Sequence, residues 1–368
     1  MFLNRKSIFL YFLISFSIIG CSSDNDGPID EEPEEVSPVV FDINAVPYQK
    51  LSDYNFFKSP MSGFDPVYGV LPFKPASQLF TDYALKNRFI WMPDGQSASY
   101  VADNKSFDFP TGTVLIKNFY YENVLPGNTK KIIETRLMIK KPNEWIFANY
   151  IWNDEQTEAT FDLDGGFVPI EWVQNGITKN VNYRIPNGNE CFMCHYVNNT
   201  AFPIGPKPQN INFALNFADG LKNQITKWEE FGYLNPGSPG EIASIADYND
   251  TSKSLDLRAR SYMEMNCAHC HIDGGYAEFY PVRLEFTPIP DYNALGVCVE
   301  PNININGIIG QEADHIIAPG NPLKSVLYHR MNTDLEMIKM PMIGRSLIHE
   351  EGVTLVTNWI SEMEGDCL

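Results

Sequence analysis

The chain has 368 residues and a formal net charge of −19. A surface this acidic lacks the basic patches that phosphate backbones require, which argues against nucleic acid as a partner. After a leader is removed, about 330 residues remain, enough for two domains with cores of their own.

The first elements concern export. Asn4-Arg5-Lys6 is short and basic, "SIFLYFLISFSIIG" is an unbroken apolar run, and Cys21 follows it. The run is too short to span a bilayer and no charge stops it on the far side, so residues 1–20 read as a signal peptide. Ile18-Ile19-Gly20-Cys21 resembles a bacterial lipobox, in which the Cys is acylated and becomes the mature N-terminus. The plainer alternative, an ordinary signal peptide with a chance Cys, fits less well because ordinary cleavage sites use small residues. Cys21 is therefore the expected lipid anchor, holding the chain to the cell envelope, in the outer membrane, through buried acyl chains. Residues 21–40 are acidic, contain Pro and offer almost nothing to bury, so they read as a flexible tether. Acidic residues just after such a Cys resemble the surface-export signal of some Gram-negative lipoproteins, which bears only on the membrane face used. No second apolar run is long enough to span a membrane.

Residues 41–187 change character. "SFDFPTGTVLIKNFYY", "KKIIETRLMIKK" and "EWIFANYIWN" alternate apolar with polar residues and are rich in β-branched and aromatic types. Asp-Gly, Pro-Gly and Asn-Gly turns separate them. The pattern predicts an antiparallel β domain, sandwich-like, within a mixed fold. Its aromatic residues read as core and packing rather than as a binding groove. It contains no His, so His-dependent catalysis is excluded from it.

Two later segments share an arrangement. "NECFMCHYVN" and "MNCAHCHIDG" both contain Cys-x-x-Cys-His, as Cys191, Cys194, His195 and as Cys267, Cys270, His271. This is the attachment sequence for c-type haem: two thiols three positions apart add to the vinyl edge of one porphyrin, and the next His supplies a nitrogen to the iron. A structural zinc site wants four ligands in closely spaced pairs, and these pairs are far apart in sequence. A thioredoxin-like redox pair wants a βαβ context that neither motif has. Two copies in one exported chain point to two covalently bound haem c groups. His269, inside the second motif, reads as a variable position.

Residues 188–250 form the expected first haem module. A loop rich in Asn, Pro and Gly follows His195, and Leu221, Ile225, Trp228 and Phe231 then predict a helix closed by Gly232. No Met lies between His195 and Met263, so the distal ligand of this haem is open; Met263, Met265, Met331, His315 and His329 are the available candidates. Residues 251–368 form the second module, with a mainly α, cytochrome c-like character. Leu255, Ala259, Tyr262 and Met263 make a helical stripe capped by Thr251 or Ser252, and Val356, Trp359, Ile360 and Met363 make another near the end. Cytochrome c folds cross such first and last helices over the haem. "IKMPMIG" between them resembles the distal-ligand loop of class I cytochromes c, making Met340 the expected sixth ligand of the second haem and Met342 the alternative. Cys298 and Cys367 are left over, and in an oxidising compartment a disulfide between them is the simplest completion, with two unpaired thiols as the alternative.

Stretches such as "GVLPFKPASQLFTDYALKNRFIWMPDG", "FPTGTVLIKNF", "YIWNDEQTEA", "ECFMCH", "IGPKPQNIN", "MNCAHCH", "IAPGNPLKSVLYHRM" and "MPMIGRSLIHEEGVTLVTNWI" span nearly all of the mature chain. Together they resemble exported bacterial dihaem c-type cytochromes, often lipoproteins, that carry a β-rich N-terminal region before two haem motifs. The resemblance implies an electron-transfer role, with a redox partner protein that is unknown. It carries over Cys191, Cys194, His195, Cys267, Cys270, His271 and Met340. The rival expectations are a dihaem peroxidase-like enzyme with an open iron at the first haem, and a haem-bearing sensor whose β domain binds a ligand.

Overall fold

In the computed structural model, which describes residues 35–367, the alternating segments become strands: β1 (Leu71–Pro72), β2 (Leu85–Trp91), β3 (Val114–Val124), β4 (Thr129–Lys140), β5 (Trp145–Trp152), β6 (Ala159–Phe161), β7 (Gly166–Gln174) and β8 (Ile177–Ile185). The leader, the lipobox with Cys21 and most of the acidic tether lie outside the described residues. All eight strands join one antiparallel sheet in the order β1-β2-β3-β4-β5-β6, and the β7–β8 hairpin attaches through the pair Val124↔Trp172. The strands thus belong to one hydrogen-bonded sheet rather than to the two of a sandwich. Register shifts after Phe119 and after Tyr121 interrupt β3. Such bulges bend a strand, and here the hairpin packs Ile170, Trp172, Val181 and Tyr183 against Phe119, Tyr121 and Ile133 of the sheet itself.

Period-2 alternation assigns the rest of each strand to one of two faces. One face presents Trp91, Val114, Ile116, Leu137, Ile139 and Tyr150, covered by Leu51, Tyr54, Phe56 and Phe64 of the N-terminal segment. The other presents Ile90, Leu115, Met138 and Trp145 to residues from the second half of the chain, including Ile211, Ile225 and Trp228. Burying apolar surface on both faces is the main favourable term for such a layer.

The second half is irregular, with α1 (Gly188–Cys194), the pair β9 (Tyr196–Val197) and β10 (Thr200–Ala201), α2 (Pro208–Ile211), the hairpin β11 (Ala214–Phe217) and β12 (Gly220–Asn223), α3 (Gln224–Glu230), α4 (Leu255–Asn266), α5 (Asn306–Ile309), α6 (Val326–Met331) and α7 (Glu350–Glu362). Leu221 departs from its expected helical face. It lies in β12 and is exposed, because Ala218-Asp219 form a two-residue hairpin turn and Gly220, at positive φ, opens the returning strand. The helix begins only at Gln224, after Asn223 caps it by accepting from the Ile225 and Thr226 amides. The cap of α4 likewise shifts: Ser254 accepts from the Leu257 amide, while Ser252 is held in a turn by Asp250.

Helices α4 and α7 pack against each other. Ala259, Tyr262 and Met263 of α4 share a core with Leu355, Val356, Trp359 and Ile360 of α7, and the Trp359 indole donates to Asp256 at 3.0 Å. A disulfide joins Cys298 to Cys367, just beyond the end of α7, with a Cα–Cα distance of 5.2 Å. From Val36 onward the chain is one compact unit; the Asp82 carboxylate accepts the Ser346 and Leu347 amides, both at 2.7 Å, tying the β-rich half to the segment before α7. Among the described residues no helix is long and apolar enough to cross a membrane.

Candidate functional site

The first Cys-x-x-Cys-His motif sits on α1. Asn187 caps the helix by accepting from the Asn189 and Glu190 amides, and Glu190 returns a bond to the Asn187 amide, a full capping box. The cap fixes where Cys191 and Cys194 project, and His195 ends the helix. The His195 ring is 5.4 Å from Phe147 of β5, and its Nδ1 is 2.9 Å from the Phe202 carbonyl. A donor bond from Nδ1 to a backbone carbonyl leaves Nε2 with its lone pair free, the form that ligates a metal. Burial lowers the His195 pKa to about 4, so the imidazole is neutral at neutral pH.

The second motif follows α4. The Cys267 and Ala268 amides both donate to Met263 O, closing the helix. Burial lowers the His271 pKa to about 4 as well, but its Nδ1 has no partner. A cavity of about 350 Å³ opens beside this motif, within the usual range for a bound cofactor or ligand. Cys267, Cys270 and His271 line it together with apolar side chains such as Val282, Leu284, Ile316 and Leu327, and with Met340. Phe80 also lines it, reaching from the β-rich half, with its amide bonded to Asn266 Oδ1 at 2.8 Å.

The loop bearing Met340 is held by one residue. The buried Arg345 guanidinium donates to the carbonyls of Met340 (2.9 Å), Thr333 (2.9 Å), Arg330 (3.1 Å) and Leu347 (3.2 Å). Met342 also borders the cavity but is 44 % exposed. Sequence reasoning passed over both Arg345 and Phe80; a lone Arg in a Gly- and Met-containing loop was the available signal for the first.

Distance along the chain does not separate the motifs in space. Val197 bridges to Gly275, the Asn198 amide donates to Gly274 O at 2.9 Å, and the Cys270 thiol donates to Met193 O at 3.1 Å. Gly274 has φ +74, a conformation that L side chains rarely adopt, and a Cβ there would stand 2.7 Å from the Asn198 Cγ, so a side chain at 274 would be strained and would displace the exposed Asn198 side chain. Cys194, His269 and Cys270 bring one ligand atom each to within 4.8 Å of one another. The earlier objection to a shared metal, that the pairs are too far apart in sequence, therefore fails. His269 is 6 % exposed and belongs to this cluster, rather than being a position free to vary. The neighbouring Cys270 and His269 side chains hold the Cys194 thiol well below its usual pKa, and the proximity of Cys194, with burial, pushes the Cys270 thiol up. Burial raises Cys191 too, and Cys267 to about 12.

Most of the residues considered as distal ligands for the first motif have their side chains engaged elsewhere. Met263 lies in the core between α4 and α7, Met265 packs with Ile245 and Phe286, and Met331 lines the cavity of the second motif. His329 Nε2 lies 2.9 Å from Leu323 O and 2.7 Å from Gln311, while His315 is tied to Ser325 through its backbone alone.

The second motif's surroundings fit a haem: a neutral His, two free thiols, an apolar wall and a thioether. The first motif offers the thiols and an oriented imidazole, with Phe147 and Phe192 beside it. Comparison with known proteins finds no matching protein-family model, no matching curated protein and no matching solved structure.

Proposed function

We propose that the protein is an electron-transfer protein carrying two covalently attached haems, exported and held at the cell envelope by a lipid on Cys21, with the outer membrane as the site. The observation that carries this reading is the meeting of two complete Cys-x-x-Cys-His motifs, with Cys194 and Cys270 in one cluster. Attachment edges this close favour direct passage of an electron from one group to the other.

Haem supplies a reversible one-electron couple, tuned by its axial ligands and surroundings. The chain does the rest. Cys191 with Cys194, and Cys267 with Cys270, are the attachment thiols. His195 and His271 present Nε2 to the metal, and the Phe202 carbonyl fixes the first of these rings. Met340, which lines the same cavity as His271, would supply a thioether to the second haem, a ligand that raises the reduction potential. Arg345 positions the Met340 loop, and the apolar wall keeps water away, which further favours the reduced state. On this reading α4, the motif, the Met340 loop and α7 correspond in order to a cytochrome c-like module.

A second reading rests on Cys194, His269 and Cys270 as a metal site. Three ligands fall short of the four of a structural zinc site and leave an open position. The readings are separated by producing the chain with c-type maturation machinery. Both haems are then expected to survive acid–acetone extraction, Cys191→Ala with Cys194→Ala to lose one, and Cys267→Ala with Cys270→Ala to lose the other. Release of all haem from the unmutated protein refutes the proposal. A low-spin, six-coordinate spectrum at both haems supports a carrier, whereas a high-spin first haem that turns over peroxide makes the protein an enzyme.

A further inference from the structure

One sheet face holds charges that the electron-transfer reading does not use. The register sets Arg88 opposite Lys117, Lys117 opposite Arg136, and Arg136 opposite Asn149, so a single row crosses β2, β3, β4 and β5. Directly opposed residues have Cβ atoms about 5 Å apart, and like charges placed this way destabilise a sheet. Lys86 stands in the next row, opposite Phe119. The Phe119 ring centre is 4.4 Å from the Arg136 guanidinium, 4.8 Å from the Lys117 ammonium and 5.9 Å from that of Lys86. Several cations thus gather around one buried ring.

Acid is scarce among them. Glu134 is fully buried and takes the Arg136 Nε at 2.9 Å and the Tyr183 hydroxyl at 2.8 Å. That satisfies one guanidinium. Arg88 is 6 % exposed, and among the described residues burial alone acts on it, with no acid or acceptor matched to it. Asn149 is 4 % exposed, and neither its amide nitrogen nor its amide oxygen has a partner. Interiors rarely hold unmatched cations and unpaired amides together, because each forfeits its hydration. Arg136 keeps 29 % of its side chain exposed, so the row borders open space. Burial and the neighbouring guanidinium groups push the Lys86 and Lys117 ammonium groups well below their usual pKa, as expected of a cationic site without its anion.

The row also has a definite neighbour. Phe147 precedes Asn149 by two residues on β5 and shares its face, roughly 7 Å along the strand. Its ring is 5.0 Å from Phe192 and 5.4 Å from His195.

We propose that Arg88, Lys117, Arg136 and Asn149 form a binding site for a small oxyanion beside the first Cys-x-x-Cys-His motif. Guanidinium groups match the two oxygens of a carboxylate-sized anion, and the Asn149 amide adds a donor. The placement of the anion beside a haem rests on the function proposed above; the cationic row does not. Two sources supply the same chemistry: a propionate of the haem at the first motif, or a dissolved oxyanion.

The test uses the haem-loaded protein and its Lys117→Gln and Arg88→Gln variants, with nitrite as the dissolved probe and chloride as control. A dissolved source predicts saturable binding of nitrite, read as a rising thermal midpoint and a Soret shift, and weakened at least tenfold in either variant. A propionate source predicts no saturable binding, and a lower potential for the first haem in either variant while the second is unchanged. The proposal is overturned if nitrite does not bind, the potentials stay put and both variants are more stable than the parent, since the row then only repels itself. Should mass analysis find no haem on Cys191 and Cys194, the function proposed above fails, and nitrite's effect on the thermal midpoint still decides the anion site: a saturable rise lost in Lys117→Gln supports it, and no rise overturns it.

Discussion

Replacing Gly352 with Ala tests the packing of α7 on α4. A Cβ at this position would stand 2.5 Å from the Tyr262 Cζ and 2.7 Å from His349 Nδ1, and closer still to the Tyr262 hydroxyl. Neither neighbour has room to yield. Tyr262 is 3 % exposed, its hydroxyl lies 3.0 Å from His349 Nδ1, and the two rings stack with centres 5.5 Å apart. Phe80 stacks on His349 at 4.1 Å. Helix propensity alone favours Ala by up to about 1 kcal/mol. Overpacking costs about 1–3 kcal/mol, and breaking the buried Tyr262–His349 bond costs about 1–3 kcal/mol more. The clash outweighs propensity, leaving a net loss of about 1–5 kcal/mol, centred near 3 kcal/mol. With an unfolding entropy of ~2.1 cal/mol/K per residue over the folded body, that central value lowers the thermal midpoint by about 4 °C. Thermal unfolding followed by circular dichroism, with a urea midpoint as check, reads this directly. The loss should shrink in a Tyr262→Leu background, because the two sites share one contact. A Gly352→Ala variant as stable as the parent, or stabilised by its helix propensity, refutes the packing.

Three further outcomes are expected. Met340→Ala should abolish or halve the weak near-infrared sulfur-to-iron band and lower the second haem's potential, while Met342→Ala, at an exposed residue, leaves both alone; the reverse pattern moves the ligand by two residues. Cys298→Ser with Cys367→Ser should cost about 4 kcal/mol by urea titration, from a closed loop spanning 69 positions; an unchanged midpoint removes the disulfide from the stability account. Burial holds the His349 pKa at about 4, so between pH 6.5 and 4 the unfolded chain binds the proton that the native state refuses. Stability should therefore fall as pH drops through that window, by up to about 3 kcal/mol, and His349→Gln should flatten the slope; His195 and His271 drop out of it once they ligate iron.

The strands were legible because composition is a local signal: "GTVLIKNFYY" and "KIIETRLMIK", rich in β-branched and aromatic residues, became β3 and β4, with short apolar runs that are buried on both faces. Pairing was not legible. Lys117 and Arg136 are far apart in sequence, and only the register Arg88↔Lys117↔Arg136 sets them in one row of partly buried cations. The same composition serves a sandwich or a single bent sheet, and the bulges after Phe119 and Tyr121 decide between them. The stripes of α4 and α7 were readable for the same local reason, whereas Leu221 keeps helical spacing to Ile225 yet lies in β12, paired with Asn216 across the Ala218-Asp219 turn. Both Cys-x-x-Cys-His motifs were plain as spacings. That they touch was not, because the contact is made by backbone groups, Asn198 N to Gly274 O and the Val197–Gly275 bridge, which carry no sequence signal.

The most direct test of the central claim is the intact mass and metal content of the purified protein made with c-type maturation. Two covalent haem additions with two irons per chain, and loss of one addition in each Cys-pair variant, are the predicted result. An unmodified polypeptide mass accompanied by stoichiometric zinc would contradict it, and would assign Cys194, His269 and Cys270 to a metal site instead.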